Sequence, residues 1–271
     1  MTAEDHVVIV TGAGGGLGGA MARGLLEAGR RVVGVDIDAG TRGLDALRAD
    51  AERAGHAGRL RVMIADMRSP DAADAVVAGA LSEFGAVHGL VNNAALGPYG
   101  RPGQRLMDPA QTFLDVDVTY WTELIDTNIN GPFLMTRAVA PKLVAAGWGR
   151  IVNITTSLAT MVMRGMAPYG PAKAALEANS AIWAQDLVQT GVTVNVLVPG
   201  GMADTAFLPV DAQPNRAALI SPQVMVAPIV WLTSRASDGT TAQRIIAKDW
   251  QPGASVEANL RAAAAPVWRH A

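Results

Sequence analysis

Residues 6–29 read HVVIVTGAGGGLGGAMARGLLEAG. An unbroken β-branched run, Val7 to Val10, enters a cluster of glycines that leads into an alanine- and leucine-rich stretch with helical spacing. Gly12, Gly16 and Gly18 follow a T-G-x-x-x-G-x-G pattern, with Gly14, Gly15 and Leu17 among them. Glycine lets the chain turn sharply out of a strand and brings backbone, without Cβ atoms, close to whatever lies over the turn. The free N–H groups and positive dipole end of the following helix face the same spot, which suits a pyrophosphate. Such glycine patterns recur by chance in glycine-rich chains; the position between strand and helix is what points to a dinucleotide.

Outward from this unit the alternation repeats. Further β-branched runs lie at 31–35, 59–65, 86–91, 149–154, 192–198 and 243–247, separated by helical patterns such as 70–84, 118–146 and 170–190. Strands that are apolar on both faces pair in parallel beneath two helical layers, and right-handed crossovers make the sheet doubly wound. The expected fold is α/β: a single doubly wound Rossmann-type domain over 1–250 with a mainly parallel seven-stranded sheet, then a C-terminal tail at 251–271. The Gly/Pro-rich stretch 97–109 reads as a loop within that domain, because strands resume beyond it.

Bulk properties remove several functions. The 271 residues are 50% hydrophobic and 17% charged, which suits a sheet buried on two faces. A net charge of −2 leaves no electrostatic footprint for nucleic acid or an anionic membrane. Without cysteine there is no disulfide, thiolate metal site or cysteine nucleophile, and no metal site is expected. No window reaches the roughly 20 uninterrupted apolar residues of a membrane span. The acidic start, MTAEDHVV, argues against a secretory leader. A soluble, cytoplasmic protein with a small-molecule ligand is expected.

The second strand ends at Asp36, about twenty residues beyond the glycines. A carboxylate there accepts hydrogen bonds from both hydroxyls of an adenosine ribose and repels a 2′-phosphate. Ile37 and Gly15, which flank that position, offer a phosphate no cation, so NAD is expected over NADP, with Arg42 near enough to soften the bias. A second pairing stands in MAPYGPAKAALEA, residues 166–178, where one of only three tyrosines, Tyr169, precedes one of only three lysines, Lys173, by four positions. That spacing puts both side chains on one helical face. A neighbouring ammonium favours the phenolate and lowers a pKa that is about 10 in the free side chain.

The motifs TGAGGGLG at 11–18, AD at 65–66, NNAA at 92–95, DTNINGPF at 126–133, GRIVNITTS at 149–157, YGPAK at 169–173 and VNVLVPGG at 194–201 resemble the short-chain dehydrogenase/reductase family, and they occur in that family's order. The resemblance implies an NAD(P)-dependent oxidoreductase that moves a hydride between a nicotinamide and a secondary alcohol or ketone. It also implies a homodimer or homotetramer joined through the helices at 118–146 and 170–190. Cofactor contacts are implied for Gly12, Gly14, Gly15, Gly16, Leu17, Gly18, Asp36 and Ile37. Asp66 would meet the adenine amino group with Met67 beside it, and Asn93, Ala94 and Ala95 would follow the fourth strand, which Asn92 steadies. Tyr169 and Lys173 would reach the nicotinamide ribose, and Pro199, Gly200, Met202 and Thr205 would close the far side.

For catalysis the resemblance implies Tyr169 as acid and base, Lys173 as its electrostatic partner, and Asn128 holding a water that links Lys173 to solvent. A hydroxyl that polarises the substrate oxygen completes the set. Thr156 stands in the family's register, thirteen positions before Tyr169, while Ser157, at twelve, is the family's usual residue type. Both remain open. Apolar substrate contacts are expected from Leu96, Tyr99, Trp121, Met161, Met163, Met202 and Phe207, and Arg164 is either a cation for an acidic substrate or a surface arginine.

Several features depart from the family. The stretch from Asn92 to Asn128 is long, Ala95 replaces a glycine, Thr205 comes one position late, and the final strand lacks the usual Val-Asp-Gly-Gly ending. Two other functions fit the same motifs. One is an NADP-linked 3-oxoacyl-thioester reductase, which needs a basic surface for a carrier. The other is a non-catalytic NAD-sensing regulator, against which the presence of Tyr169, Lys173 and Asn128 speaks.

Overall fold

β1 (Val7–Thr11) is buried along its whole length. Val8 and Val10 join one apolar cluster with Met21, Leu25, Leu44 and Leu47, while Val7 and Ile9 join a second with Val76, Val139 and Leu143. Successive side chains of a strand point to opposite faces, so a run without polar alternation needs helices on both sides. The first layer is built by α1 (Gly16–Glu27), α2 (Thr41–Arg53) and α8 (Val226–Leu232). The second is built by α3 (Pro70–Phe84), α5 (Gly131–Ala145) and α7 (Tyr169–Asp186). The computed structural model describes residues 5–98, 112–205, 208 and 218–268.

Between these layers lie β2 (Arg31–Asp36), β3 (Leu60–Ile64), β4 (Gly89–Asn92), β5 (Gly149–Ile154), β6 (Val192–Val198) and β7 (Gln243–Ile246). Spatial order is β3-β2-β1-β4-β5-β6-β7, all parallel. One strand more than the seven read from sequence completes the sheet. After α9 (Val256–Ala263), β8 (Ala264–Pro266) runs antiparallel along the outer edge of β7. Its Ala-Ala-Pro sequence has little strand propensity, so the open backbone edge of β7 makes the strand, and proline is tolerated there because β8 is itself an edge.

Local chemistry sets the element ends. At α3, Ser69 Oγ accepts the N–H of Ala72, Pro70 takes the first helical position, and Gly85 closes the helix at φ 75°. The helix read at 118–146 is one continuous rod with a defect in it. α4 (Val118–Ile125) passes into a π-spaced turn, Asp126–Asn130, before α5 continues. A π-turn offsets the helix by one residue and aims side chains inward that α-spacing would not, and such turns mark functional sites.

The second core face carries a buried polar chain. Asn92 Nδ2 donates to Thr136 Oγ1 at 3.1 Å and to Asn153 Oδ1 at 2.8 Å, and Asn153 Nδ2 donates to Ser180 Oγ at 2.8 Å. β4, β5, α5 and α7 are thereby joined across the sheet behind the site. Asn92→Ala strands the Asn153 carbonyl, and urea unfolding should show a loss of about 1–3 kcal/mol; unchanged stability would contradict the network's role.

Candidate active site

β1 lies between β2 and β4. The chain leaves these strands in opposite directions, which opens a crevice at their carboxyl ends. The lips of the crevice are bolted together. Thr11 Oγ1 donates to Val91 O at 3.3 Å and accepts the N–H groups of Asn93 at 3.0 Å and Ala94 at 3.1 Å. Asn93 Nδ2 returns the contact, donating to Thr11 O at 3.0 Å and Gly12 O at 3.2 Å. Gly12 sits at φ +67°, and a Cβ there would stand 2.8 Å from Asn93 Nδ2. A Cβ on Gly18 would fall onto the Gly12 carbonyl. Glycine is thus required at both positions by close backbone approach. The Thr205 side chain lies directly over Gly16, so the segment after β6 forms the opposite wall of the glycine turn.

Asp36 ends β2 with its carboxylate turned toward this turn. Gly14 N–H donates to Oδ2 at 2.9 Å and Ile37 N–H to Oδ1 at 2.8 Å. Burial raises its pKa above the usual carboxylate value, and the two backbone donors oppose that shift. Asp66 is engaged more strongly than its proposed adenine contact required. Arg68, which sequence reading missed, grips it through Nε at 3.0 and 2.9 Å and through Nη2 at 2.5 Å. That hydrogen-bonded guanidinium lowers the Asp66 pKa. Only the two-residue spacing hinted at the pair. Met67 is buried in the second core cluster.

Asn128 stands in the π-turn and is fully buried. Its Oδ1 accepts Leu96 N–H at 2.8 Å and its Nδ2 donates to Leu96 O at 2.9 Å, so one amide holds the loop after β4 on both sides. Ala95 precedes the residue so held. Tyr169, at the first position of α7, packs with Tyr120, Leu124, Ala172 and Leu96. Tyr120 was not foreseen; its four-residue spacing from Leu124 was the available signal, and its hydroxyl donates to Gly97 O. Lys173 is 3% exposed, with Nζ 2.9 Å from Ile154 O and 5.9 Å from the centre of the Tyr169 ring. Burial lowers its pKa from 10.5 to about 8.

The two candidate hydroxyls differ in occupation. Ser157 caps α6 (Leu158–Met161): its Oγ accepts Thr160 N–H at 3.0 Å and lies 2.7 Å from Thr160 Oγ1. The Thr156 hydroxyl makes no hydrogen bond among the described residues, while its carbonyl accepts Arg244 Nη2 at 2.7 Å. Beyond β6, Lys248 N–H donates to Pro199 O at 3.1 Å, and the Lys248 stem lies along Gly200. Of the expected substrate contacts, Met161 is buried, Trp121, Met163 and Met202 are exposed, and Tyr99 and Phe207 lie outside the described residues. Arg164 is exposed.

A glycine turn at a sheet switch point, a carboxylate that ends the second strand against that turn and a Tyr–Lys helix face together describe a dinucleotide-linked oxidoreductase. The short chain dehydrogenase profile matches residues 6–214. The chain belongs to that family, and its reaction is hydride transfer between a nicotinamide cofactor and an alcohol or carbonyl group. Among its relatives, the 2-dehydro-3-deoxy-D-gluconate 5-dehydrogenase of Escherichia coli is 30% identical over 246 residues, 87% of this chain and 90% of that protein. A 3-oxoacyl-(acyl-carrier-protein) reductase of Synechocystis is 31% identical over 209 residues, 77% of this chain and 79% of the relative. A solved structure of a putative NAD(P)-dependent gluconate 5-dehydrogenase from Beutenbergia cavernae, with NADP bound, superposes with a TM-score of 0.76 at 28% identity, covering 89% of this chain and 94% of that one.

The buried ammonium has a consequence for stability. Between pH 8 and 10.5 the unfolded chain keeps a proton on Lys173 that the folded chain releases, so stability should rise with pH across that window. Subtracting the profile of Lys173→Met from that of the wild type isolates this rise, expected to total about 3 kcal/mol. Parallel profiles would contradict a depressed lysine.

Proposed function

We propose that the protein oxidises a secondary alcohol, or reduces the corresponding ketone, with NAD as the preferred cofactor. The observation that carries this is the buried Lys173 ammonium one helical turn from Tyr169, bonded at the carboxyl end of β5. When bound, the nicotinamide supplies the hydride acceptor or donor. In the oxidative direction the Tyr169 phenolate takes the alcohol proton, and the positive charge of Lys173 stabilises that phenolate before the transfer. Thr156 donates its free hydroxyl to the substrate oxygen, a role for which Ser157, tied to Thr160, is less suited. Asn128 keeps the loop after β4 open beside the ring through Leu96 and holds the water that returns protons from solvent to Lys173.

Cofactor contacts are assigned to Gly12, Gly14, Gly15, Gly16, Leu17 and Gly18 at the pyrophosphate, and to Asp36 and Ile37 at the adenosine ribose. Asp66 and Met67 serve the adenine, Asn93, Ala94 and Ala95 the floor, and Pro199, Gly200, Met202 and Thr205 the nicotinamide side. The preference for NAD rests on Asp36, whose carboxylate repels a 2′-phosphate while Gly15 and Ile37 bring no cation. A homodimer or homotetramer formed through the α4–α5 rod and α7 is supported by the exposed Trp121, Phe133, Val144 and Ile182 on those helices. A cytoplasmic location completes the proposal and rests on composition.

The substrate is sought with a nicotinamide absorbance screen over sugar acids, cyclic secondary alcohols, steroids and hydroxyacyl thioesters. Turnover of thioesters alone with NADPH would replace this proposal with the thioester reductase, and tight NAD binding without any turnover would replace it with a regulator. Tyr169→Phe should reduce kcat by about 100-fold or more while NAD still binds; near-normal turnover would remove the tyrosine from the mechanism. Asp36→Ala should weaken NAD by roughly tenfold and narrow the gap to NADP, as loss of a charge-assisted ribose contact requires. An unchanged cofactor ratio would refute the ribose assignment.

A further inference from the structure

Beneath the site lies a charged pair that the proposed chemistry does not use. Glu177, one helical turn beyond Lys173 on α7, is 2% exposed, and Arg244 on β7 is 8% exposed. Arg244 Nε donates to Glu177 Oε1 at 3.0 Å. The remaining hydrogen bonds of the pair go to two consecutive residues. Thr155 Oγ1 donates to Glu177 Oε1 at 2.6 Å, and Arg244 Nη2 donates to the Thr156 carbonyl at 2.7 Å. Lys173 Nζ holds the carbonyl just before them, that of Ile154, at 2.9 Å. Each of the three residues where β5 ends therefore has one polar atom fixed from α7, directly or through Arg244.

The position explains why such a device is needed. Thr155 N–H still donates to Leu197 O of β6 at 3.2 Å. One residue further on, the chain leaves the sheet toward α6, and the Thr156 carbonyl has no strand partner to orient it. Arg244 reaches past β6 to fill that gap, since Val196 separates it in register from Asn153. A buried ion pair stabilises a fold little more than apolar residues of similar size would. Its distinctive product here is orientation, because a guanidinium fork held by a carboxylate presents its second nitrogen in a defined direction.

We propose that Glu177 and Arg244 are positioning residues for catalysis: by holding the Thr155 side chain and the Thr156 carbonyl, the pair sets the chain at Thr156 so that its hydroxyl faces the substrate oxygen at the correct distance from Tyr169. This rests on the assignment of Thr156 as the polarising hydroxyl. The pair touches neither substrate nor cofactor, so it acts on kcat through Thr156 and leaves cofactor affinity alone.

The test uses the full-length protein and the fastest substrate from the screen. Thr156→Val comes first: turnover at the wild-type rate would overturn the hydroxyl assignment itself. Given a defective Thr156→Val, the double variant Glu177→Leu/Arg244→Met removes both charges without stranding either. It should retain NADH affinity and thermal stability yet lose about 10- to 100-fold in kcat at nearly constant KM, the scale of a misplaced catalytic group. Thr155→Val, which leaves the ion pair whole and removes one of its two anchors, should lose about threefold in kcat, a smaller misplacement on the same scale. Arg244→Lys restores the charge but not the fork and should recover only part of the rate. Wild-type kcat in Thr155→Val and Arg244→Lys, or in a folded double variant, would overturn the positioning role.

Discussion

The Thr11 hydroxyl uses its one proton and both lone pairs at the point where the strand order reverses, between β1 and β4. Its bond to Val91 O and the two it accepts from Asn93 and Ala94 tie the end of β1 to the end of β4. The two lips of the crevice thus share an atom. Gly12 and Gly18 can then pack against Asn93 and each other at distances that no side chain permits. With the glycine turn held in this way, the N-terminus of α1, Asp36 and the loop after β4 have fixed relative positions. Each later feature of the site is built on that frame.

A second set of bonds fixes the other half. α7 carries Tyr169, Lys173 and Glu177 at successive turns of one face. Buried polar groups cost several kilocalories per mole unless they are paired, and Lys173 and Glu177 are paired to the end of β5 and to Arg244. The depressed Lys173 pKa is the remaining cost of that burial. The same desolvation lets its charge act strongly on a phenolate nearby, because less solvent lies between them. Asn128 obeys the same requirement: from the π-turn its amide bonds both the N–H and the carbonyl of Leu96.

Legibility in the sequence followed the strength of the physical signal. β1, β5 and β6 appeared because long β-branched runs can satisfy only a doubly covered strand. β4 begins at Gly89, later than its apolar run, although the His88 backbone already bonds Val7 of β1 and Arg150 of β5. β8 was illegible, since an alanine-proline segment becomes a strand only beside an open edge. The sequence reads Asn92 as steadying the sheet at the fourth strand, and its bonds to Thr136 and Asn153 do that, while its neighbour Asn93 turns the other way and reaches the glycine turn. Side chains alternate across a strand and its extension, so one residue of register decides between core and site. Arg68 and Tyr120 escaped notice because each is defined by its partner.

Sequence by itself determined the class of the fold, the order of its motifs and the residue types that meet at the site, because periodicity and glycine geometry are local properties of a chain. Tertiary structure alone separated two adjacent hydroxyls, of which Thr156 is the one without a hydrogen bond among the described residues. Ser157 is engaged at the first turn of α6, and the Thr156 carbonyl is held from β7, eighty-eight residues away. Hydrogen-bond valence is limited, and a group's availability depends on every element packed around it. Neighbours that distant in the chain come together only when the sheet closes.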